Sequence, residues 1–236
     1  MLTAKSVAKE LKSAGTPERA NAAIWYFKTG EWQYGHGDVF FGVTVPEQRK
    51  IAKKYAKLSL NEIGKLLQNK VHECRLTALF ILVQKYKKAD EKEQNNIANF
   101  YIKNIDRVNN WDIVDSSASN ILGVNLLHKN KAILYRFARS ENLWHRRIAI
   151  ISTLAFIYEN KYTDTLKISK LLLKDKHDLI HKAVGWSLRE VGKRSLNEEE
   201  KFLNKYAIIM PRTMLRYAIE KFPEKKRKEY LERRLS

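Results

Sequence analysis

Apolar residues recur at intervals of three and four along almost the whole chain, the period of an amphipathic helix. The first segments that carry it, Ser6 to Ser13 and Pro17 to Thr29, predict two helices. The second is entered through Thr16-Pro17-Glu18, a cap, a first-turn proline and an acid at the positive helix end. The period then breaks over Gly30-Glu31-Trp32-Gln33-Tyr34-Gly35-His36-Gly37-Asp38, where three glycines predict a loop. Val39 to Val45 has the composition of a strand but stands alone before the helix start Pro46-Glu47-Gln48-Arg49, so it is expected to be extended and outside any sheet. Helix then follows helix: Pro46 to Lys57, Ser59 to Gln68, His72 to Tyr86, Lys92 to Asn104, Trp111 to Leu122, Lys131 to Ser140, Leu143 to Tyr158, Tyr162 to Leu173, Leu179 to Lys193, Asn197 to Tyr206, Pro211 to Lys221 and Pro223 to Arg233. The linkers are short and polar, and no Pro/Gly/Ser-rich run marks a boundary. One all-α domain over residues 1–236 is expected.

The helices also repeat. Cys74-Arg75-Leu76-Thr77-Ala78, Val114-Asp115-Ser116-Ser117-Ala118, Arg146-Arg147-Ile148-Ala149, His181-Lys182-Ala183-Val184 and Leu215-Arg216-Tyr217-Ala218 overlay, with the key position moving from 75 to 115, 147, 182 and 216. Such intervals match two-helix repeats that stack into an α-solenoid, so HEAT-like repeats are expected. Equivalent positions in a solenoid line one surface, usually the concave one. Here the line reads Arg75, Asp115, Arg147, Lys182, Arg216, four bases around one acid.

Charge narrows the choice of partner. Forty-five Lys plus Arg against 26 Asp plus Glu leave a formal charge of +19, well beyond what solubility requires, and point to a polyanion. An anionic membrane surface would call for an amphipathic anchor or a lipidation signal, and neither is evident. The longest apolar run, Ile148 to Tyr158, is interrupted by Ser152-Thr153 and too short to span a bilayer. Nucleic acid is the expected partner, held through phosphates without base readout. No leader pattern opens the chain and Cys74 is its single cysteine, so a reducing cytoplasm is expected. Cys74 lies in an apolar helix pattern and reads as packing.

A binding surface for phosphates gains nothing from Asp115, which neighbouring cations would keep ionised. Chemistry that builds positive charge on a sugar does gain. Cleavage of an N-glycosidic bond passes through an oxocarbenium-like state that a carboxylate stabilises directly or by orienting water. Trp111 lies one helical turn before Asp115 and on the same face, and Trp186 one turn after Lys182. Indoles attract a cationic alkylated base through their π faces.

Trp111-Asp112-Ile113-Val114-Asp115-Ser116, Asn142-Leu143-Trp144-His145-Arg146-Arg147 and Lys182-Ala183-Val184-Gly185-Trp186-Ser187-Leu188-Arg189-Glu190 together resemble the AlkD-like DNA glycosylases, bacterial alkylation repair proteins built of HEAT-like repeats. Tyr26-Phe27-Lys28 and the stretch from Phe41-Gly42-Val43 to Arg49 extend the resemblance over nearly the whole chain. It implies excision of positively charged N3- or N7-alkylated purines from duplex DNA by a monomer, without metal or cofactor. It implies that Asp115 is the catalytic carboxylate, Trp111 and Trp186 the lesion-facing indoles, and Arg147 the arginine of the cleft. Arg75, Lys182, Arg189 and Arg216 complete the expected DNA-binding set. The loop from Gly30 to Asp38 is longer than its counterpart in the best known members. Some AlkD-like relatives bind duplex or branched DNA without excising a base, and that is the alternative function; a HEAT-like protein scaffold is a third class.

Other signals carry less. His177 and His181 have a zinc-compatible spacing without a third ligand. Gly35-His36-Gly37-Asp38 lacks the strand and the Lys-Ser/Thr pair of a phosphate loop. Lys225-Lys226-Arg227-Lys228 reads as a solvated helix face.

Overall fold

The computed structural model describes residues 2–233, so the expected domain of 1–236 runs past the described residues at both ends. Among them the regular structure is helical, and β pairing is limited to an isolated bridge between Val39 and Val71. The chain divides after Ser117 into two compact units.

The first unit contains α1 (Ala4–Ala14), α2 (Pro17–Tyr26), α3 (Val45–Lys54), α4 (Leu60–Leu67), α5 (His72–Lys88), α6 (Glu91–Lys103), a 3-10 turn (Ile105–Arg107) and α7 (Trp111–Ser117). Side-chain oxygens close several helix starts: Thr3 accepts from the Ser6 amide at 3.1 Å, Ser59 from Glu62 at 3.3 Å and Asp90 from Glu93 at 2.8 Å. These satisfy amide donors that a helix leaves without partners. The axis of the unit is α5, buried around most of its circumference by Cys74, Leu76, Ala78, Leu79, Phe80, Ile81 and Leu82 and packed by α1, α3, α4, α6 and α7. By contrast α2 buries no residue fully. It ends at Tyr26, not Thr29, because Lys28 turns left-handed (φ 51°). The Thr29 amide then donates to the Ile24 carbonyl at 3.3 Å and the Lys28 amide to the Trp25 carbonyl at 3.2 Å, a Schellman closure.

The second unit opens with a π-turn (Ser119–Gly123) and α8 (Val124–Leu126). It continues through α9 (Ala132–Ala138), α10 (Leu143–Ser152), α11 (Leu154–Tyr158), α12 (Thr163–Leu171), α13 (Asp178–Gly192), α14 (Leu196–Tyr206), α15 (Arg212–Ala218) and α16 (Glu224–Glu232), with 3-10 turns at Ala207–Ile209 and Ile219–Lys221. The helix expected from Leu143 to Tyr158 is two helices. At Thr153 the hydroxyl donates to the Ile150 carbonyl at 2.7 Å and the amide to the same carbonyl at 3.1 Å, so the ladder tightens and turns. The centre of this unit is α13, packed by α10, α12, α14 and α15. At Gly185 a Cβ would strike the Met214 carbonyl and the Tyr217 side chain, so the glycine lets α13 and α15 approach closely.

One buried acid weakens this unit at neutral pH. Glu199 on α14 lies against Gly192, and its Oε1 has no hydrogen-bond partner. Burial, with Glu200 beside it, pushes the carboxyl up to about 8 against the pull of Arg189 and Lys226. For an acid so raised, folding is unopposed below the unfolded value near 4.5 and loses stability up to about pH 8. Glu199→Gln should therefore raise stability at pH 7 by on the order of 2–3 kcal/mol and have little effect near pH 4. Urea midpoints at the two pH values check this; equal shifts at both would exclude a protonation effect.

Candidate functional site

The loop before α7 sets the position of the Trp111-Asp115 face. Asn110 is fully buried; its Oδ1 accepts from the Trp111 amide at 2.8 Å and its Nδ2 donates to Asp38 at 3.1 Å. Asp112 Oδ1 accepts from the Ile113 amide at 2.8 Å. Ile113 and Val114 face the core, which leaves Trp111 and Asp115 half-buried on the other side of the helix, as their spacing predicts. Further along, Ser117 donates to the Ile113 carbonyl at 2.7 Å and meets the buried Tyr101 hydroxyl at 3.0 Å.

Behind that face, the first residue of α5 is held between two carboxylates. His72 Nδ1 lies 3.0 Å from Asp38 and Nε2 lies 2.9 Å from Asp112. Burial pulls its imidazole down, but Asp112 and Asp38 together outweigh that and raise it to about 9. The ring is thus an imidazolium that donates at both nitrogens. Asp38 accepts in addition from Arg75 Nη2 at 2.5 Å. Burial pushes the Asp38 carboxyl up, and the hydrogen bond from His72 with the charge of Arg75 brings it below its ordinary value. Phe27 stacks near this imidazolium at 4.6 Å, on Phe40 at 5.2 Å and on Trp111 at 5.5 Å, while Tyr26 meets Trp111 edge-on at 5.8 Å. A cavity of about 160 Å³ opens here, lined among others by Phe27, Phe40, His72 and Asp112.

This network corrects the reading of Arg75. It does not face phosphate: it is buried, with Nη1 on the Asn69 and Lys70 carbonyls at 3.1 and 3.0 Å and Nη2 on Asp38. The cation ties the end of the Gly30 to Asp38 loop to α5.

In the second unit Lys182, Trp186 and Arg189 lie at i, i+4 and i+7 on α13, hence on one helix face. Lys182 pairs with Asp178 at 2.6 Å, and Trp186 Nε1 donates to Glu190 at 3.2 Å. Arg189 pairs with Glu220 and lies 3.8 Å from Glu190. Arg147 on α10 is almost fully buried, and its Nη1 donates to the Leu179 carbonyl of α13 at 2.5 Å. Its neighbour Arg146 is spent on Asp175 and the Ser140 and Glu141 carbonyls. Arg216 on α15 is exposed. His177 and His181 serve the local backbone: His177 Nδ1 accepts from the Leu179 amide at 3.2 Å, and His181 Nε2 lies 2.5 Å from the Asp175 carbonyl. Among the described residues no helix is long and apolar enough to cross a membrane.

The model of the family described as DNA alkylation repair enzyme matches residues 7–222. The chain belongs to that family. Its membership gives it a role in DNA alkylation repair. A solved structure described as a predicted DNA alkylation repair enzyme from Enterococcus faecalis aligns with a TM-score of 0.70 at 21% identity, over 89% of this chain and 97% of that one. At that identity the likeness is one of fold. A comparison with curated proteins gives no match.

Proposed function

We propose that this DNA alkylation repair protein is a glycosylase that excises N3- or N7-alkylated purines from duplex DNA. The observation that carries the reading is Trp111 and Asp115 side by side on α7, a helix whose start is anchored by Asn110 and Asp112. In the reaction the N-glycosidic bond breaks and its electron pair leaves with the cationic purine, which becomes neutral. The positive charge passes to the deoxyribose, water adds at C1′, and a proton is released. Asp115 is assigned to stabilise that charge or orient that water, and Trp111 to hold the cationic base by its π face. Trp186 is assigned as the second lesion-facing indole on the resemblance alone. The helix pairs are read as HEAT-like repeats with a basic concave face, acting as a monomer in the cytoplasm, on the nucleoid when bound.

On this reading Lys182 and Arg216 supply phosphate contacts, while Arg147 and Arg189, engaged within their unit, hold the surface that presents them. Arg216→Ala should weaken binding to alkylated and undamaged duplexes alike and lower the salt slope by about one. Fluorescence anisotropy at several salt concentrations measures both. A loss confined to damaged DNA would move Arg216 from phosphate to lesion.

Incubation with methylated duplex and chromatography of the released bases tests the activity itself. Release of methylated purines supports the glycosylase. Salt-dependent DNA binding without release would leave the non-catalytic reading, and neither would favour a protein scaffold.

A further inference from the structure

The end of α2 and the loop that follows place two indoles almost wholly in water: Trp25 is 88% exposed and Trp32 95%. Ile24 and Tyr26 are exposed beside Trp25, and a concavity of about 450 Å³ is lined by Ile24, Trp25, Lys28, Thr29, Gly30 and Gln33. An apolar patch of this kind marks an interaction surface. The patch is built, not loose. Lys28 and Trp32 both adopt positive φ, at 51° and 65°, which side chains other than glycine avoid. The Gly35 amide donates to the Lys28 carbonyl and the Gln33 amide to the Gly30 carbonyl, each at 3.1 Å, and a Cβ on Gly35 would strike the Phe27 carbonyl. The loop ends at Asp38, fixed by His72, Arg75 and Asn110, and Tyr26 rests against Trp111. The segment that carries the exposed indoles is therefore tied at both ends to the start of α7, through Tyr26 on Trp111 and Asp38 on Asn110.

We propose that Trp25 and Trp32 form a stacking platform for DNA bases displaced from the helical stack, alongside the face that bears Trp111. This rests on the DNA reading above and adds a part of the substrate that it does not address. An indole open on both faces accepts a base of any sequence or wedges into a base step. The surroundings fit nucleic acid: the chain carries +19, Lys28 lies in the patch, and Lys70 is exposed at the foot of the loop, where its carbonyl accepts from the Val39 amide at 3.3 Å. Glu31, exposed in the same loop, would repel a phosphate placed there, which favours the uncharged base faces as the groups contacted.

Anisotropy titrations with a fully paired duplex and a duplex carrying one unpaired adenine test the proposal. The parent should bind the bulged duplex more tightly. Trp25→Ala/Trp32→Ala should lose that preference and bind the bulged duplex roughly five- to hundredfold more weakly, one stacked base being worth that much. Its salt slope should equal the parent's, since no phosphate contact is removed. Trp25→Phe/Trp32→Phe should keep most of the preference. If the double alanine variant binds both duplexes as the parent does, the platform is wrong and the DNA reading stands. If the parent binds neither duplex at low salt, the DNA reading itself fails and takes the platform with it. Self-association of the parent in sedimentation, abolished by the double variant while DNA affinity is unchanged, would make this face a contact between copies of the chain and overturn the proposal.

Discussion

Asp115→Asn is expected to slow release of an alkylated purine by about 10²-fold or more, the usual loss for one preorganised electrostatic group, while leaving DNA affinity unchanged or slightly tighter. The separation follows from when the charge appears. An intact lesion places its positive charge on the base, whereas the departing base transfers that charge to the deoxyribose, so a carboxylate aimed at the sugar acts mainly in the transition state. Before that point it repels phosphates, and its removal should favour ground-state binding if it changes it at all. Asparagine keeps the shape, and the half-buried position on α7 leaves the core-facing Ile113 and Val114 undisturbed. Single-turnover release from methylated duplex, with anisotropy on the same DNA, measures both quantities. Equal release by parent and variant would remove Asp115 from the mechanism. A parallel fall in affinity and rate would make it a binding residue.

Much of the helix order was legible because its signal is periodic and local. Helix ends were less so, since their causes leave no period. Lys28 closes α2 in a left-handed turn usually signalled by glycine, and Thr153 breaks an apolar run through its own hydroxyl. The site divides in the same way. Trp111 and Asp115 are four residues apart on one helix and could be paired from spacing alone. Asp38, His72, Asn110 and Asp112 could not, because their contacts span 34, 40 and 72 residues, and each has an ordinary local reading as a loop, cap or first-turn residue. Arg75 shows the limit of repeat alignment. The overlay gives a residue's place in a repeat but not the direction its side chain faces, and α5 is apolar nearly all round, so that place lies inside. The neighbours Cys74, Leu76 and Ala78 were the available clue.

His72→Ala is expected to cost about 3–5 kcal/mol, the range for breaking a buried ion pair from one side. Asp38 would keep Arg75 and Asn110, but Asp112 would lose its 2.9 Å contact with the imidazolium, and the ring beside Phe27 and Phe40 would leave a gap. His72→Gln, which fills part of the gap but carries no charge, separates packing from electrostatics through pH. With its folded value raised to about 9, His72 contributes stability that is fully present below its unfolded value near 6.5 and is lost as pH rises through about 9. Asp38, lowered, contributes above its unfolded value near 3.8 and loses that contribution as pH falls toward its folded value. The network is therefore strongest between about pH 4 and 6.5. Glu199 weakens the fold over part of the same range, so the measurement belongs in the Glu199→Gln background, and it stops at pH 8.5 because the buried Cys74 thiol, pushed up to about 12 from 9.0, also loses stability above its unfolded value. That background should lose on the order of 2 kcal/mol between pH 6.5 and 8.5, and adding His72→Gln should flatten the curve over that interval. An unchanged slope would mean that His72 is neutral in the fold. Because Asp112 and Asn110 hold the start of α7, the variant should also slow base release without altering the salt dependence of binding, as expected of a positioning residue that touches neither phosphate nor lesion.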